Sequence, residues 1–334
     1  MSSPDTRRRY DRPARLAAAA VFGAVAAGLA ACADAPETTP EAGAGAGWRL
    51  DPGGDLNAFF DCLEAEGATL ASAHRGGSYP GLPENALETM VHVLAQAPAI
   101  VEFDVAAASD GVLFLMHDDT LERTTTGAGR ADAAPYAEIA KLRLKDRDGS
   151  VTRFAPPRFA EVLSALKDRT VVQIDFKRSA RYEDVIDEVK RQNADDQVIY
   201  IAYSFAAAQK LHRLHPEAMI SLSVNGQSDL NRAVAAGVPA DRLVAFTGTE
   251  APRPRLFNVL NDRAVEVIFG TLGGRGSIDK AIARAGDEAR YAQIARDGAD
   301  VIATDRPLEA HAALAAAGRA AEAGECGISG PAAG

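Results

Sequence analysis

From about residue 69 onward the chain alternates between two hydrophobic periods. Short apolar runs, most of them rich in Val, Ile and Phe, fall at 69–74, 100–105, 170–176, 198–203, 219–224, 242–246, 265–269 and 300–303. Each has the length of a buried strand. Between them lie stretches at 85–97, 182–192, 205–214, 229–236 and 277–297 whose apolar residues recur three and four apart, the pattern of helices with one buried stripe. This alternation predicts an α/β fold, a closed (β/α)8 TIM barrel. An open doubly wound sheet shares the period, but no Gly-rich dinucleotide turn follows the first run. The second connection, 106–159, is too long for a simple loop. It holds a further apolar run at 112–116 and then polar, Gly-rich sequence, which predicts a small insertion of the kind that carries function.

The first fifty residues break this pattern. Arg7, Arg8, Arg9, Arg12 and Arg15 precede an uncharged Ala-, Gly-, Val- and Leu-rich run over 16–31 that ends at Cys32, the layout of a signal peptide over 1–31. The run is too short and too alanine-rich for a membrane span. Its end, Leu29-Ala30-Ala31-Cys32, resembles the lipobox of bacterial lipoproteins, which implies acylation of Cys32 and a lipid anchor. Each buried acyl methylene contributes about 0.8 kcal/mol, enough for several chains to hold a protein on a membrane without a spanning helix. Residues 32–50 then read as a flexible tether, 51–318 as the barrel domain and 319–334 as an irregular tail. The expectation is an exported lipoprotein facing the periplasm or the cell surface. Ala33 and Asp34 show no strong inner-membrane retention signal by lipoprotein analogy, which favours the outer membrane. The three adjacent arginines fit a twin-arginine leader and any other basic leader equally, so the export route stays open.

Charge narrows the partners. With 36 Lys+Arg against 46 Asp+Glu the net charge is −10, and removing the leader's five arginines and two aspartates takes it to −13. Such a field repels polyanions, so no nucleic acid is expected as partner, and no protein partner is predicted. After Cys32 only Cys62 and Cys326 remain, near the two ends of the folded part. In an oxidising compartment they could form a disulfide, the alternative being two unrelated thiols.

Barrels place their chemistry at the carboxyl ends of the strands, and polar clusters fall there: His74-Arg75-Gly76-Gly77, Glu102-Phe103-Asp104, His117-Asp118 after the 112–116 run, and Asp175-Phe176-Lys177. Residues two apart in a strand share a face, so Glu102 pairs with Asp104 and Asp175 with Lys177. Three buried acids repel and are costly to desolvate unless a cation sits among them. Oxygen-only ligation suits one divalent Mg or Ca ion better than Zn. The alternative places these carboxylates at the rim, paired with Arg and Lys.

These clusters, with Pro83-Glu84-Asn85, Ser204-Phe205 and the closing Gly298-Ala299-Asp300-Val301-Ile302-Ala303-Thr304-Asp305-Arg306-Pro307, resemble the glycerophosphodiester phosphodiesterase family over 70–314. The resemblance implies metal-dependent hydrolysis of small glycerophosphodiesters to glycerol phosphate and an alcohol. It makes His74 and His117 the acid–base pair, Glu102 and Asp104 metal ligands, and Arg75 and Lys177 phosphate partners. In the family the nucleophile is water or the neighbouring glycerol hydroxyl, and both routes stay open. Two departures stand out. Asp175 takes a place usually held by Glu in the family, and an Asp also stands there in the related phospholipase D toxins of venoms. Phe269-Gly270-Thr271-Leu272 replaces a Trp-Thr-x-Asn stretch. A lyase or hydrolase acting on lysophospholipids is therefore one alternative, and a non-catalytic surface-binding lipoprotein is another.

Secondary positions carry their own readings. Arg275, on the Gly-rich loop 273–276, is a candidate head-group contact or a solvent-exposed arginine. Glu84 is a partner of Arg75, a contact of metal-bound water, or helix-start chemistry beside a capping Asn85. Asp118 orients His117 or begins the polar loop. His212 and His215 are expected at the surface near a helix end, and His92 and His311 are single helical histidines.

Overall fold

The computed structural model describes residues 47–331. Eight parallel strands follow one another: Leu70–Ala73, Ala99–Ala107, Val172–Phe176, Val198–Ala202, Met219–Ser223, Leu243–Phe246, Glu266–Gly270 and Val301–Thr304. Each pairs with the next, and the eighth pairs back with the first, Val301 opposite Leu70 and Thr304 opposite Ala73. The ring therefore closes, with helices outside it, as a (β/α)8 barrel with one added strand. The signal peptide, the lipobox at Cys32 and the tether up to residue 46 lie outside the described residues. No helix among the described residues is long and apolar enough to cross a membrane.

The strand period of two sorts the core into layers. Val172 and Ile174 of the third strand join the shell between strands and helices, together with Phe159, Val162 and Leu163 of the preceding helix. The alternate positions face inward, where Leu70, Ile100, Val171, Ile199, Met219, Val244, Ile268 and Val301 fill the lower barrel. The helix Leu56–Ala65 caps that end. It is started by Asp55, whose carboxylate accepts the N–H of Asn57 and of Ala58, and it buries Leu56, Phe59, Phe60 and Leu63.

Both ends of the described residues join this plug, a departure from two boundaries expected from the sequence. Arg49–Leu50, assigned to the tether, pairs antiparallel with Ile328–Ser329, assigned to an irregular tail. Leu50 and Ile328 are buried in the lower core. Runs of one or two apolar residues carry no period, so only the closed underside of the barrel gives them a partner.

Cys62 and Cys326, 264 residues apart, are joined by a disulfide at this plug. A cross-link closing so large a loop constrains the unfolded chain by roughly 5 kcal/mol on the loop-entropy model. The Cys62→Ser, Cys326→Ser double variant is accordingly expected to unfold at distinctly lower denaturant under non-reducing conditions. An unchanged unfolding midpoint would contradict that.

Other departures have local causes. The stretch 277–297 divides into Ile278–Ala285 and Ala289–Arg296, because Gly286 takes a left-handed conformation at φ 64° and ends the first helix. That conformation is open to glycine at little cost. The helix expected over 85–97 spans only Leu87–Leu94. His215, expected at the surface, is buried between the Tyr200 hydroxyl at 3.0 Å and Asp195 at 3.0 Å, an arrangement of structure rather than of metal binding.

The insertion is a small built unit. Leu113–Leu115 adds to the upper half of the second strand in antiparallel register, with Leu115 opposite Val105. Ala106, Phe114, Met116, Leu121, Tyr136 and Ile139 form a separate apolar cluster beneath its loops. His117 lies two residues beyond this strand.

Candidate metal centre and active site

Glu102, Asp104 and Asp175 converge at the carboxyl end of the second and third strands. The strands are in register with Asp104 opposite Asp175, and one oxygen from each of the three acids lies within 4.8 Å of the others. The three residues are 7%, 1% and 4% exposed.

Their partners fix all but a few oxygens. The backbone N–H of Arg75 donates to Glu102 Oε2 at 2.7 Å. Asn85 donates its amide to Asp104 Oδ2 at 2.7 Å and accepts the Asp104 N–H at 3.0 Å. Lys177 Nζ reaches Asp104 Oδ1 at 2.6 Å and Asp175 Oδ2 at 2.7 Å. The Tyr203 hydroxyl also donates to Asp175 Oδ2, at 2.8 Å. Asp175 Oδ1 is buried with no hydrogen-bond partner among the described residues.

The electrostatics are unbalanced. Burial, and then the neighbouring Asp104, push the Glu102 carboxyl well above the usual range. Against the same burial, Lys177 and Arg75 hold Asp104 below its ordinary value. The orphaned Asp175 oxygen and the strained Glu102 are what a hard cation bound by oxygen ligands would relieve, so the residues present fit a divalent ion.

Each candidate imidazole has its own carboxylate. His74 Nδ1 is 2.6 Å from Asp305 Oδ1, across a separation of 231 residues. His117 Nδ1 is 2.6 Å from Asp118 Oδ1. An ionised carboxylate only accepts, so Nδ1 carries the hydrogen in both rings and Nε2 is left free. Burial lowers His74, but its hydrogen bond to Asp305 and the charge of Glu102 outweigh it, leaving its pKa raised. The two rings make no contact with each other among the described residues.

A chain of charges links insertion to barrel. Arg123 donates to both oxygens of Asp118, at 2.6 and 2.9 Å, and to both of Glu84, at 2.8 Å each. Glu84 in turn accepts from Arg75 at 2.9 Å, and Arg75 Nε lies 3.4 Å from Asp104. Of the readings open for Glu84, the structure has it partner Arg75. Burial opposes its ionisation, but Arg123 and Arg75 hold its pKa below normal. Asp118 orients His117.

Some expectations separate from the cluster. Arg275 is exposed, and among the described residues its carbonyl accepts from Arg284. Of its loop, it is Gly273 that touches the site, donating its N–H to Asp305 at 3.0 Å. Asn85 does not cap a helix. It stands at φ 57° and gives its side chain to Asp104. Four participants carry no role in the sequence reading: Asp305, Arg123, Tyr203 and Asp279. Asp279 is buried and accepts from Tyr291, Thr304 and the Asp305 N–H. Tyr203 follows the fourth strand and Asp305 the eighth, a position that could have flagged them. Arg123 sits in a loop with no such marker.

The model of the glycerophosphoryl diester phosphodiesterase family matches residues 74–308. A glycerophosphodiester phosphodiesterase of Bacillus altitudinis is 30% identical over 178 residues, covering 48% of this chain and 70% of that protein. Its counterpart in Caldanaerobacter subterraneus subsp. tengcongensis is 29% identical over 163 residues, covering 46% and 66%. Among solved structures, a glycerophosphoryl diester phosphodiesterase from Parabacteroides distasonis superposes with a TM-score of 0.76 at 26% identity, over 85% of this chain and 99% of that one. The barrel, the acid cluster and these matches together make the chain a member of the glycerophosphoryl diester phosphodiesterase family, an enzyme that hydrolyses phosphoric diesters.

Proposed function

We propose that the protein cleaves small glycerophosphodiesters to glycerol phosphate and an alcohol, with one Mg or Ca ion held by Glu102, Asp104 and Asp175. The observation that carries this is the buried acid trio with an orphaned oxygen, set beside an imidazole whose Nε2 is free. When bound, the ion supplies positive charge where phosphate oxygens gain negative charge.

The chain's own residues do the rest. Arg75 and Lys177 flank the acid cluster as phosphate partners. His74, with Nδ1 fixed by Asp305, and His117, with Nδ1 fixed by Asp118, each present Nε2 for proton transfer. One takes the proton of the attacking hydroxyl or water, and the other gives one to the leaving alkoxide. The same reading extends to an exported lipoprotein anchored through acylated Cys32, supported by the basic leader and the Leu29-Ala30-Ala31-Cys32 motif.

Product analysis tests the activity. Glycerophosphocholine and lysophosphatidylcholine are offered separately, each with and without EDTA. The expected result is choline and glycerol phosphate from the first substrate, lost with EDTA and restored by excess Mg or Ca. Faster turnover of the lysolipid points to the phospholipase D-like alternative, chelator-insensitive turnover removes the metal, and inactivity on both substrates leaves a binding protein. Labelling of Cys32 by a fatty-acid probe, lost in Cys32→Ala, tests the anchor.

A further inference from the structure

Past the carboxyl end of the third strand lies a groove of ≈460 Å³, walled chiefly by Phe176, Lys177, Arg178, Arg181, Tyr182 and Lys210. Four cations meet there in a chain whose net charge is −10, and against them the wall carries Glu183. The reason is local. Lys177, Arg178 and Arg181 all stand in the turn between the strand Val172–Phe176 and the helix Tyr182–Arg191. Lys210 comes from the next helix, Phe205–Leu214, and its ammonium lies over the Tyr182 ring at 5.2 Å.

These cations are not equally engaged. Lys177 is committed to Asp104 and Asp175, so the groove begins at the residue that closes the acid cluster. Arg178 is 3.9 Å from Asp119, and Arg181 is 3.9 Å from Asp184 and 4.0 Å from Glu183. Neither guanidinium makes a hydrogen bond among the described residues, and their side chains are 85% and 70% exposed. Exposed pairs at that range contribute little, which leaves both planar forks open to a bidentate anion. Lys210 pairs with Glu183 at 2.9 Å and is half-exposed. At the start of the helix, Arg181 supplies no side-chain cap, so the positive end of the helix adds to the same field.

We infer that this groove binds a second negative group, a phosphate or carboxylate carried by the alcohol half of the substrate, with Arg178, Arg181 and Lys210 as its partners. The assignment rests on the phosphodiesterase reading above and names a substrate class within it. Glycerol brings no charge beyond the diester phosphate, so a second anion can come only from the alcohol. Lys177 walls the groove and reaches the acid cluster as well, so an alcohol leaving a phosphate held there has the cationic wall beside it. Diesters of anionic alcohols are then favoured over those of neutral ones, by attraction that acts on binding rather than on the chemical step.

Steady-state kinetics of the full chain in Mg test this with two diesters that differ by one phosphate, glycerophosphoinositol and glycerophosphoinositol 4-phosphate. The wild type is expected to prefer the phosphorylated substrate by about tenfold in kcat/KM, the scale of one charge-assisted contact. The preference should reside in KM and shrink as salt is raised. Arg181→Gln and Lys210→Gln should each cut it about threefold, and the double variant should bring it near unity. Equal kcat/KM for the two diesters in the wild type, or an undiminished preference in the folded double variant, overturns the assignment. Calorimetric titration with inositol 4-phosphate, which has no diester to cleave, separates this from the hydrolytic reading. If neither diester turns over, inositol 4-phosphate binding that weakens about tenfold in the double variant supports the groove and removes the hydrolytic reading instead. Binding that is absent, or equal in wild type and double variant, overturns the groove as well.

Discussion

Alanine at His74 or at His117 is expected to lower kcat on glycerophosphocholine by roughly 10²- to 10⁴-fold, the range over which a positioned acid or base contributes. Melting temperature should move little, because neither ring is part of the apolar core. The two substitutions combined should cost much less than the product of the single losses, since groups acting on one transition state fail together. His74 lines one cavity with Glu102 and Asp175, and it feels the charge of Glu102 as well as that of Asp305. A rise in KM alongside the kcat loss is therefore expected for His74→Ala. Steady-state kinetics with circular dichroism of each variant check this, and near-normal kcat in either single variant removes the acid–base assignment for that residue.

At the opposite end of the barrel, Glu266 is expected to make stability depend on pH. It begins the seventh strand, is 4% exposed, and no ion pair reaches it among the described residues. Burial, followed by the charges of Asp300, Asp61 and Glu64, pushes its carboxyl up to about 9. Burial likewise moves the neighbouring Asp300 up to about 7. An unfolded chain releases the Glu266 proton near its ordinary value of 4.5, whereas the folded chain holds it to about 9. Between those values the folded state binds more protons, so stability declines as pH rises, with a slope of up to about 1.4 kcal/mol per pH unit from this group. Below pH 4.5 both states are protonated and the effect is fully present as stability. Glu266→Gln keeps the shape and stays neutral, so it should flatten the decline and stabilise the protein at pH 8 to 9. Denaturant midpoints at pH 5, 7 and 9 decide it. Parallel pH profiles for variant and wild type would show that Glu266 finds a partner or water.

The acid cluster and Glu266 illustrate one rule with two outcomes. Carboxylates at the mouth are each met by Lys177, Arg75, Asn85 or Tyr203, with Asp175 Oδ1 left buried without a partner among the described residues. That arrangement keeps charge in place and leaves room for an ion. Glu266 has no such partners, and its proton does the neutralising instead. The insertion adds a second dependence. Arg123 holds Glu84 and Asp118 together, so one arginine ties the insertion's His117–Asp118 pair to the Glu84–Arg75 pair of the barrel.

Much of this was legible along the chain, for physical reasons that are local. The alternation of strand and helix periods predicts the closed barrel, because each apolar run must find neighbours on both sides. The shared face of Glu102 and Asp104 follows from strand geometry alone, and so does the pairing of Asp175 with Lys177 near them. What only the tertiary structure decided are contacts that ring closure and register create. Asp305 meets His74 because the eighth strand lies beside the first. Asn85 serves Asp104 because its backbone turns into a left-handed conformation that no period encodes. Leu50 and Ile328 leave tether and tail to seal the barrel because that underside offers an apolar surface. Short-range periods are written in neighbouring residues, whereas these pairings depend on side chains brought together from as much as 278 positions away.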